Sequence, residues 1–404
     1  MKILLSAFAC EPNRGSEPGV GWDWAVFLAQ AGHQVVVLTR SESRLAIERE
    51  MARAAFPRLF FQYFDVPERL RWQRRGPLHL HNYLWQWLAA KFARKLHQNE
   101  RFDCVHHVTL AGLRGPSFMG ELGIPFIFGP VGGGERAPWR LRHGYSLIGF
   151  IADAVRDIAN LMVPFTPFMN DTFARAERIY VTSHDTMKLV PRRFRHKAQV
   201  ELAIGAGDLT PNWGPPGPLR VRQQECFGIL YAGHFIDCKG MHLGLRAFAQ
   251  CLEAVPGARL TMIGHGPVER RWRRLAEDLG IAANVDWKPW QDRKEMANVY
   301  ASHDVLLFPA LHDSGGMVVL EAMNQGLPVV CLKLGGPATL VNDSCGHAID
   351  PAGKSRAQVV RELSHALTGF ALGSARVPIT ETAPLRCRDF SWPKKVARIY
   401  GTAS

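Results

Sequence analysis

Asp313-Ser314-Gly315-Gly316-Met317-Val318-Val319-Leu320-Glu321 sets two carboxylates eight residues apart across a glycine pair. The apolar run Val305-Leu306-Leu307-Phe308-Pro309 precedes it and reads as a buried strand; a helical pattern follows through Glu321-Ala322-Met323. A strand feeding a glycine loop and then a helix aims unpaired backbone N–H groups, and the positive end of a helix, at an anion. The flanking acids are placed to accept hydrogen bonds from sugar hydroxyls. Phosphate and sugar recognised together point to a nucleotide-sugar site.

Outward from this segment the same layout repeats. Buried strands are expected at 3–8, 34–38, 60–64, 104–108, 125–128 and 178–182, then at 228–232, 259–263, 285–287, 305–308 and 328–331, alternating with helical stretches. That alternation predicts α/β architecture with parallel sheets covered on both faces. The Gly/Pro-rich stretch 205–218 supports no regular element and divides the chain. The expected organisation is an N-terminal domain over 1–205, a linker over 206–222 and a C-terminal domain over 223–385. A final helix within 386–404 would pack back toward the N-terminal domain. Two such domains would face a central cleft at the carboxyl edges of their sheets.

The 404 residues suit two domains, and 47% apolar content is ample for two cores. Eight cysteines carry no C-x-x-C or metal-ligand spacing and read as reduced core residues of a cytoplasmic protein. No apolar run approaches the length of a membrane span. Of the net +13 charge, +10 falls in residues 1–200. A basic first half suggests an anionic partner such as a phosphate-bearing lipid or an acidic bilayer face. No nucleic-acid motif accompanies the charge.

Further glycine loops follow the expected strands. In the first half these are Cys10-Glu11-Pro12-Asn13-Arg14-Gly15-Ser16-Glu17-Pro18-Gly19-Val20-Gly21-Trp22 and Gly129-Pro130-Val131-Gly132-Gly133-Gly134-Glu135-Arg136. Gly19, Gly21, Gly132, Gly133, Gly134 and Glu135 are therefore candidate cleft residues. His106-His107 closes one strand, and alternation turns one imidazole toward the cleft. In the second half, Gly233-His234 leads to Lys239-Gly240, where a lysine is placed to neutralise a diphosphate. Gly264-His265-Gly266-Pro267 and Gly335-Gly336 complete the set. Six such loops at successive strand ends imply a polyanionic ligand.

Two stretches stand apart. Residues 69–98 hold seven Lys/Arg and no acid, interleaved with Trp72, Trp85 and Trp87; Leu84, Leu88, Phe92 and Leu96 share one helical face. This suits either an anionic membrane surface or a helix packed on its own sheet with a solvated basic side. Residues 145–168 are apolar and are a second candidate for bilayer or acceptor contact.

On these motifs the chain resembles the retaining glycosyltransferases of family 4 (glycosyl transferases group 1), which have the GT-B fold of two Rossmann-like domains. The resemblance is strongest from Tyr231 to Gly336. It extends to a bacterial subgroup carrying Cys-Glu-Pro…Gly-Ser-Glu-Pro-Gly-Val-Gly-Trp and Gly-Pro-Val-Gly-Gly-Gly-Glu. It implies a nucleotide-sugar donor in the second domain and the acceptor in the first. Glu321 would hold the ribose and Asp313 the donor sugar. Gly315 and Gly316 would present amides to sugar and diphosphate, and Met317 would belong to the same donor-binding set. Lys239 would balance the leaving diphosphate, with Gly233, Gly264 and Gly266 in the donor loops. Three positions depart from the family: Asp313 stands for a glutamate and His234 for an arginine, while Gly129-Pro130-Val131 occupies the turn of a family histidine, for which His107 or Glu135 would serve. No metal or other cofactor is expected. The expected activity is sugar transfer to an acceptor hydroxyl, with a polyprenyl-diphosphate-linked acceptor in surface-polysaccharide biosynthesis. It would take place in the cytoplasm or peripherally on the inner membrane face. The rival readings are a non-catalytic glycan-binding or scaffold protein and a nucleotide-sugar epimerase.

Overall fold

Apolar runs with no polar interruption become the interior strands, because both faces of a parallel sheet are covered and alternation is not required. In β1 (Lys2–Ser6), for example, Ile3, Leu4 and Leu5 are all fully enclosed. A computed structural model describes residues 1–67, 78–207, 226–373 and 376–401. The chain divides into two compact units. The first comprises Met1–Gly134, Ile158–Ala203 and Trp392–Ser404; the second comprises Glu135–Asp157 and Ile204–Ser391.

The first sheet continues with β2 (Gln34–Thr39), β3 (Leu59–Tyr63), β4 (Cys104–His107), β5 (Phe126–Val131), β6 (Arg178–Val181) and β7 (Ala198–Val200). Among the described residues its order is β3-β2-β1-β4-β5-β6-β7, parallel throughout. The helices that follow these strands are α1 (Ser16–Gln30), α2 (Arg44–Arg53), α3 (Leu78–Glu100), α4 (Leu147–Met162), α5 (Pro167–Arg175) and α6 (His184–Leu189).

The second sheet has β8 (Gly228–Ala232), β9 (Arg259–Ile263), β10 (Val285–Lys288), β11 (Val305–Phe308), β12 (Val329–Leu332) and β13 (Gly346–Ile349). Its order is β10-β9-β8-β11-β12-β13, again parallel. Its helices are α7 (Met241–Ala254), α8 (Glu269–Asp278), α9 (Arg293–Ser302), α10 (Met317–Asn324), α11 (Pro337–Leu340), α12 (Arg356–Leu372) and α13 (Arg376–Cys387).

The last helix, α14 (Trp392–Tyr400), belongs to the first unit. Trp392 stacks on Phe27 with ring centroids 5.5 Å apart and meets Trp24 edge-on at 5.0 Å. The enclosed Lys395 ammonium bonds the Leu202 carbonyl and pairs with Glu201, and Tyr400 Oη lies 2.5 Å from His106 Nδ1.

Three differences from the sequence reading have physical causes. Strands β7 and β13 were not expected. Both are short edge strands paired on one side, so neither needs the long apolar run that marks an interior strand. Glu135–Asp157, read as part of an N-terminal domain, belongs to the second unit, as does 386–391. The α3 helix spends its apolar face at home: Leu84, Leu88, Phe92 and Leu96 pack on the first core around the fully buried Trp85, leaving Lys91, Arg94 and Lys95 exposed. The apolar face of the first membrane candidate is thus packed on its own sheet, and its basic side with Trp87 stays exposed. Residues 69–77 and most of the expected linker, from 208 onward, lie outside the described residues.

Candidate functional site

In the second sheet the strand order reverses between β8 and β11, which opens a crevice beyond their carboxyl ends. The turn after β8 supplies Lys239, and the loop after β11 supplies Asp313. Gly240 sets how closely these two segments approach. It lies at φ +71°, and a Cβ there would sit 2.0 Å from the Pro309 carbonyl oxygen. The result is an ion pair between Lys239 Nζ and Asp313 Oδ2. Asp313 Oδ1 also accepts the amides of Gly315 at 3.0 Å and Gly316 at 2.8 Å. Gly316, at φ +72°, then starts α10.

The electrostatics follow from this geometry. Burial opposes the charge on Lys239, but the Asp313 carboxylate outweighs it and holds the ammonium above its ordinary range. Burial likewise works against the Asp313 carboxylate. Lys239 and the two amides overcome it and hold that group below its ordinary range. Both members therefore stay charged, and the pair is a cation with two loop amides gathered on one carboxylate.

Around this pair, Glu321 on α10 accepts a hydrogen bond from Tyr300 Oη at 2.8 Å. Met317 is the first residue of the same helix. Gly264 and Gly266 are packing residues. A Cβ on Gly264 would lie 2.0 Å from the Gly233 carbonyl, and one on Gly266 would lie 2.3 Å from that of Phe235. They lock the ends of β8 and β9 together, which fixes Gly233 and His234. The exposed His234 stacks on Trp290 (5.3 Å) and meets His265 edge-on (5.7 Å). Partial burial, then His265 and Lys239, lower its pKa, so it is neutral at pH 7.

Glu135 was expected among acceptor-side cleft loops; it lies instead within the second unit. Its carboxylate is buried and accepts from Ser314 Oγ at 2.7 Å, inside the segment that opened the sequence reading. Sequence reasoning missed Ser314, Tyr300 and Trp290. Only Trp290, an exposed aromatic just past a strand end, left a readable signal. It also missed a polar chain beside Asp313. Arg156 Nη1 donates to His312 Nδ1 (2.7 Å), and His312 Nε2 donates to Asp153 (3.0 Å).

The glycines of the first unit are placed differently. The loop after β1 ends at Gly15, so Gly19 and Gly21 lie inside α1 rather than in a cleft loop. A Cβ on Gly21 would stand 2.1 Å from the Ala9 carbonyl, so this glycine lets helix and strand end touch. Gly132 and Gly134 are tied down by backbone and Thr186 hydrogen bonds, while Gly133 (φ +93°) has open space beside it. His107 is fully enclosed, with Nε2 3.0 Å from the Thr109 carbonyl and 3.3 Å from Gln86. Burial lowers its pKa to about 4, and that of its neighbour His106 to about 3. Both are neutral core histidines. At this unit's own reversal point, between β1 and β4, the half-buried Glu17 accepts the Leu110 amide at 2.8 Å. Burial raises its pKa against that bond. Among the described residues no group of three or more His, Cys, Asp or Glu side chains is gathered to hold a metal ion.

Comparison with known proteins agrees with the geometry. The chain is 33% identical over 127 residues to a D-inositol 3-phosphate glycosyltransferase of Segniliparus rotundus, covering 30% of this chain and 28% of that protein. It is 32% identical over 115 residues to the lipopolysaccharide core biosynthesis glycosyltransferase LpsE of Rhizobium meliloti, covering 28% and 32%. The match thus spans about a third of the length of these curated relatives or less. Anabaena HepE, solved in complex with UDP, superposes with a TM-score of 0.60 at 14% identity and full coverage of both chains; another structure of it holds UDP-glucose. Such likeness, with the two parallel sheets, gives the GT-B fold. Residues 222–368 match the model of the glycosyl transferases group 1 family.

Proposed function

We propose that this protein transfers a sugar from a nucleoside-diphosphate sugar to an acceptor hydroxyl, with retention at the anomeric carbon. The observation that carries the reading is the Lys239–Asp313 pair with its two amides, set at the reversal point of the second sheet. A donor diphosphate competes with Asp313 for the ammonium and the amides of Gly315 and Gly316. The carboxylate it displaces is then available to a hydroxyl of the donor sugar, and Glu321 accepts from the ribose. As the bond from the anomeric carbon to the diphosphate breaks, charge builds on the leaving oxygen; the acceptor oxygen bonds the anomeric carbon on the same face, and its proton passes to the leaving diphosphate. Lys239 and the loop amides stabilise that charge in place, as preorganised donors stabilise an oxyanion. The cation this step needs is Lys239, and the reading calls for no metal ion.

UDP-sugars are the first donors to try, given the UDP and UDP-glucose held by HepE. A lipid-linked acceptor in surface-polysaccharide assembly is favoured by the likeness to LpsE, a lipopolysaccharide core biosynthesis glycosyltransferase. The test measures nucleotide release from a panel of nucleotide sugars, with and without a polyprenyl-diphosphate-linked sugar. Acceptor-dependent release that collapses in Glu321→Ala supports the proposal. No release from any donor, or undiminished turnover in Glu321→Ala, overturns it. Conversion of the donor without acceptor would instead identify an epimerase.

A further inference from the structure

Helix α4 is built inside out. Ile148, Ile151, Val155, Ile158, Leu161 and Met162 recur at helical spacing on one side, and each is exposed, from 51% at Ile151 to 82% at Ile148. The opposite side carries Asp153, Arg156, Asp157 and Asn160, and these face the protein. Arg142 donates to Asp157 at 2.5 Å, the His312 ring links Asp153 to Arg156, and Asn160 Nδ2 donates to the Gly133 carbonyl at 2.9 Å. Asp237 fixes the start of the helix by accepting from the Ser146 amide at 2.9 Å. A surface helix of a water-soluble protein ordinarily turns its apolar stripe inward. Here the polar side is held by specific hydrogen bonds, so the helix cannot roll over to hide its isoleucines. The apolar run continues past the helix through Phe165 and Phe168, both exposed.

We propose that this face of α4 docks on an anionic phospholipid bilayer. Charge selects the occupant. From Arg136 to Asn170 the exposed charged side chains are Arg136 and Arg140, and both acids of that stretch turn inward. Arg193 donates to Asn170 Oδ1 at 2.7 Å, just beyond Phe168. Phe168 meets Tyr83 of α3 at 6.0 Å, and one turn along α3 the exposed Trp87 carries the Lys91 ammonium 3.4 Å from its ring centroid. At the other end the exposed Trp139 packs edge-on against Phe150 at 4.9 Å. Apolar side chains rimmed by tryptophan and basic residues are what an interfacial helix presents to acidic headgroups. A second copy of a chain with net charge +13 would bring like charge against like on this face. Among the described residues no helix is long and apolar enough to cross a membrane, so the contact is with the surface.

The inference stands on α4 and its neighbours and does not require the proposed sugar transfer. It is tested by co-sedimentation of the full chain with phosphatidylcholine vesicles, with or without phosphatidylglycerol, at low and high salt. Wild type is expected to partition onto the anionic vesicles, at least roughly tenfold less onto neutral ones, and less at high salt. The pair Ile151→Ser and Ile158→Ser should reduce partition by roughly tenfold per site, since each removes a large apolar group from the contact. Arg140→Glu with Lys91→Glu should reduce it while leaving the apolar face intact. Unfolding temperature and circular dichroism report that every variant is folded. Equal binding by wild type and the serine pair overturns the proposal. So does wild type that ignores the vesicles and sediments as a dimer that the serine pair dissociates.

Discussion

The two sheets reverse their order at equivalent places, yet the two reversal points are built for different tasks. In the second unit the crevice gathers a cation and a carboxylate that keep each other charged, with two loop amides donating to the carboxylate. In the first unit the corresponding loops close on themselves. The Thr109 hydroxyl accepts the Ala9 amide at 3.1 Å, Glu17 accepts the Leu110 amide, and His106 and His107 sit neutral in the core. Glycine marks both places for opposite reasons. Gly240 and Gly316 bend the chain so that charged groups converge, whereas Gly21 removes a side chain so that a helix can touch a strand end. A glycine-rich loop in a sequence is therefore a statement about close approach, and what approaches is decided by the chemistry beside it.

This contrast can be broken at several points. The largest effect is expected from Lys239→Met. Turnover measured as nucleotide release should fall by about 10²–10³, the loss typical of removing one preorganised charge-stabilising group. A fall of less than tenfold would show that the ion pair serves only the fold.

Acid should act first on the other unit. His106 and His107 have folded-state pKa values of about 3 and about 4, below the ordinary 6.5, so the unfolded chain takes up protons before the folded one. Their contribution is complete above about pH 6.5 and declines as pH falls, by about 2 kcal/mol per histidine at pH 5. Among the described residues the second unit carries one group lowered as far, His242, at about 4, and its Asp313 keeps its charge until pH falls below the ordinary carboxylate range. Hydrogen exchange at pH 7 and pH 5 should show the first unit losing protection first. The reverse order would contradict this assignment.

Gly21→Ala should cost about 1–3 kcal/mol by overpacking against the Ala9 carbonyl. If UDP raises the unfolding temperature of wild type, that shift should survive in the folded fraction, and its loss would mean that this glycine is a ligand contact after all. The smallest effect is expected for Glu135→Gln, which weakens the bond from Ser314 by about 1 kcal/mol and should raise the donor KM several-fold with kcat nearly unchanged. An effect on acceptor KM alone would return Glu135 to the acceptor side.

These outcomes bear on how much of the molecule was legible beforehand. Interior strands announce themselves because burial on both faces demands an unbroken apolar run, and Val305–Phe308 was legible for that reason. Gly346-His347-Ala348-Ile349 was not, since an edge strand needs only one partner and tolerates polar residues. At the candidate site, Lys239 and Asp313 were expected in loops after strands and Glu321 on the helix that follows, and the structure places each of them there. The Lys239–Asp313 pairing was not legible, because periodicity places a residue on an element without saying which neighbour its side chain meets. Glu135 was assigned to the wrong unit because nearness in sequence to Gly134 carries no information about tertiary packing.

The division of the chain also orders its synthesis. The first unit packs Trp392 of α14 against Trp24 and Phe27, and those partners leave the ribosome some 360 residues before it. Domains usually fold as they emerge. Here the packing of Trp392 on Trp24 and Phe27 requires that all of Ile204–Ser391 has been made first. Neither unit is one continuous piece of chain, so a fragment cut in the Gly/Pro-rich stretch would leave both unfinished.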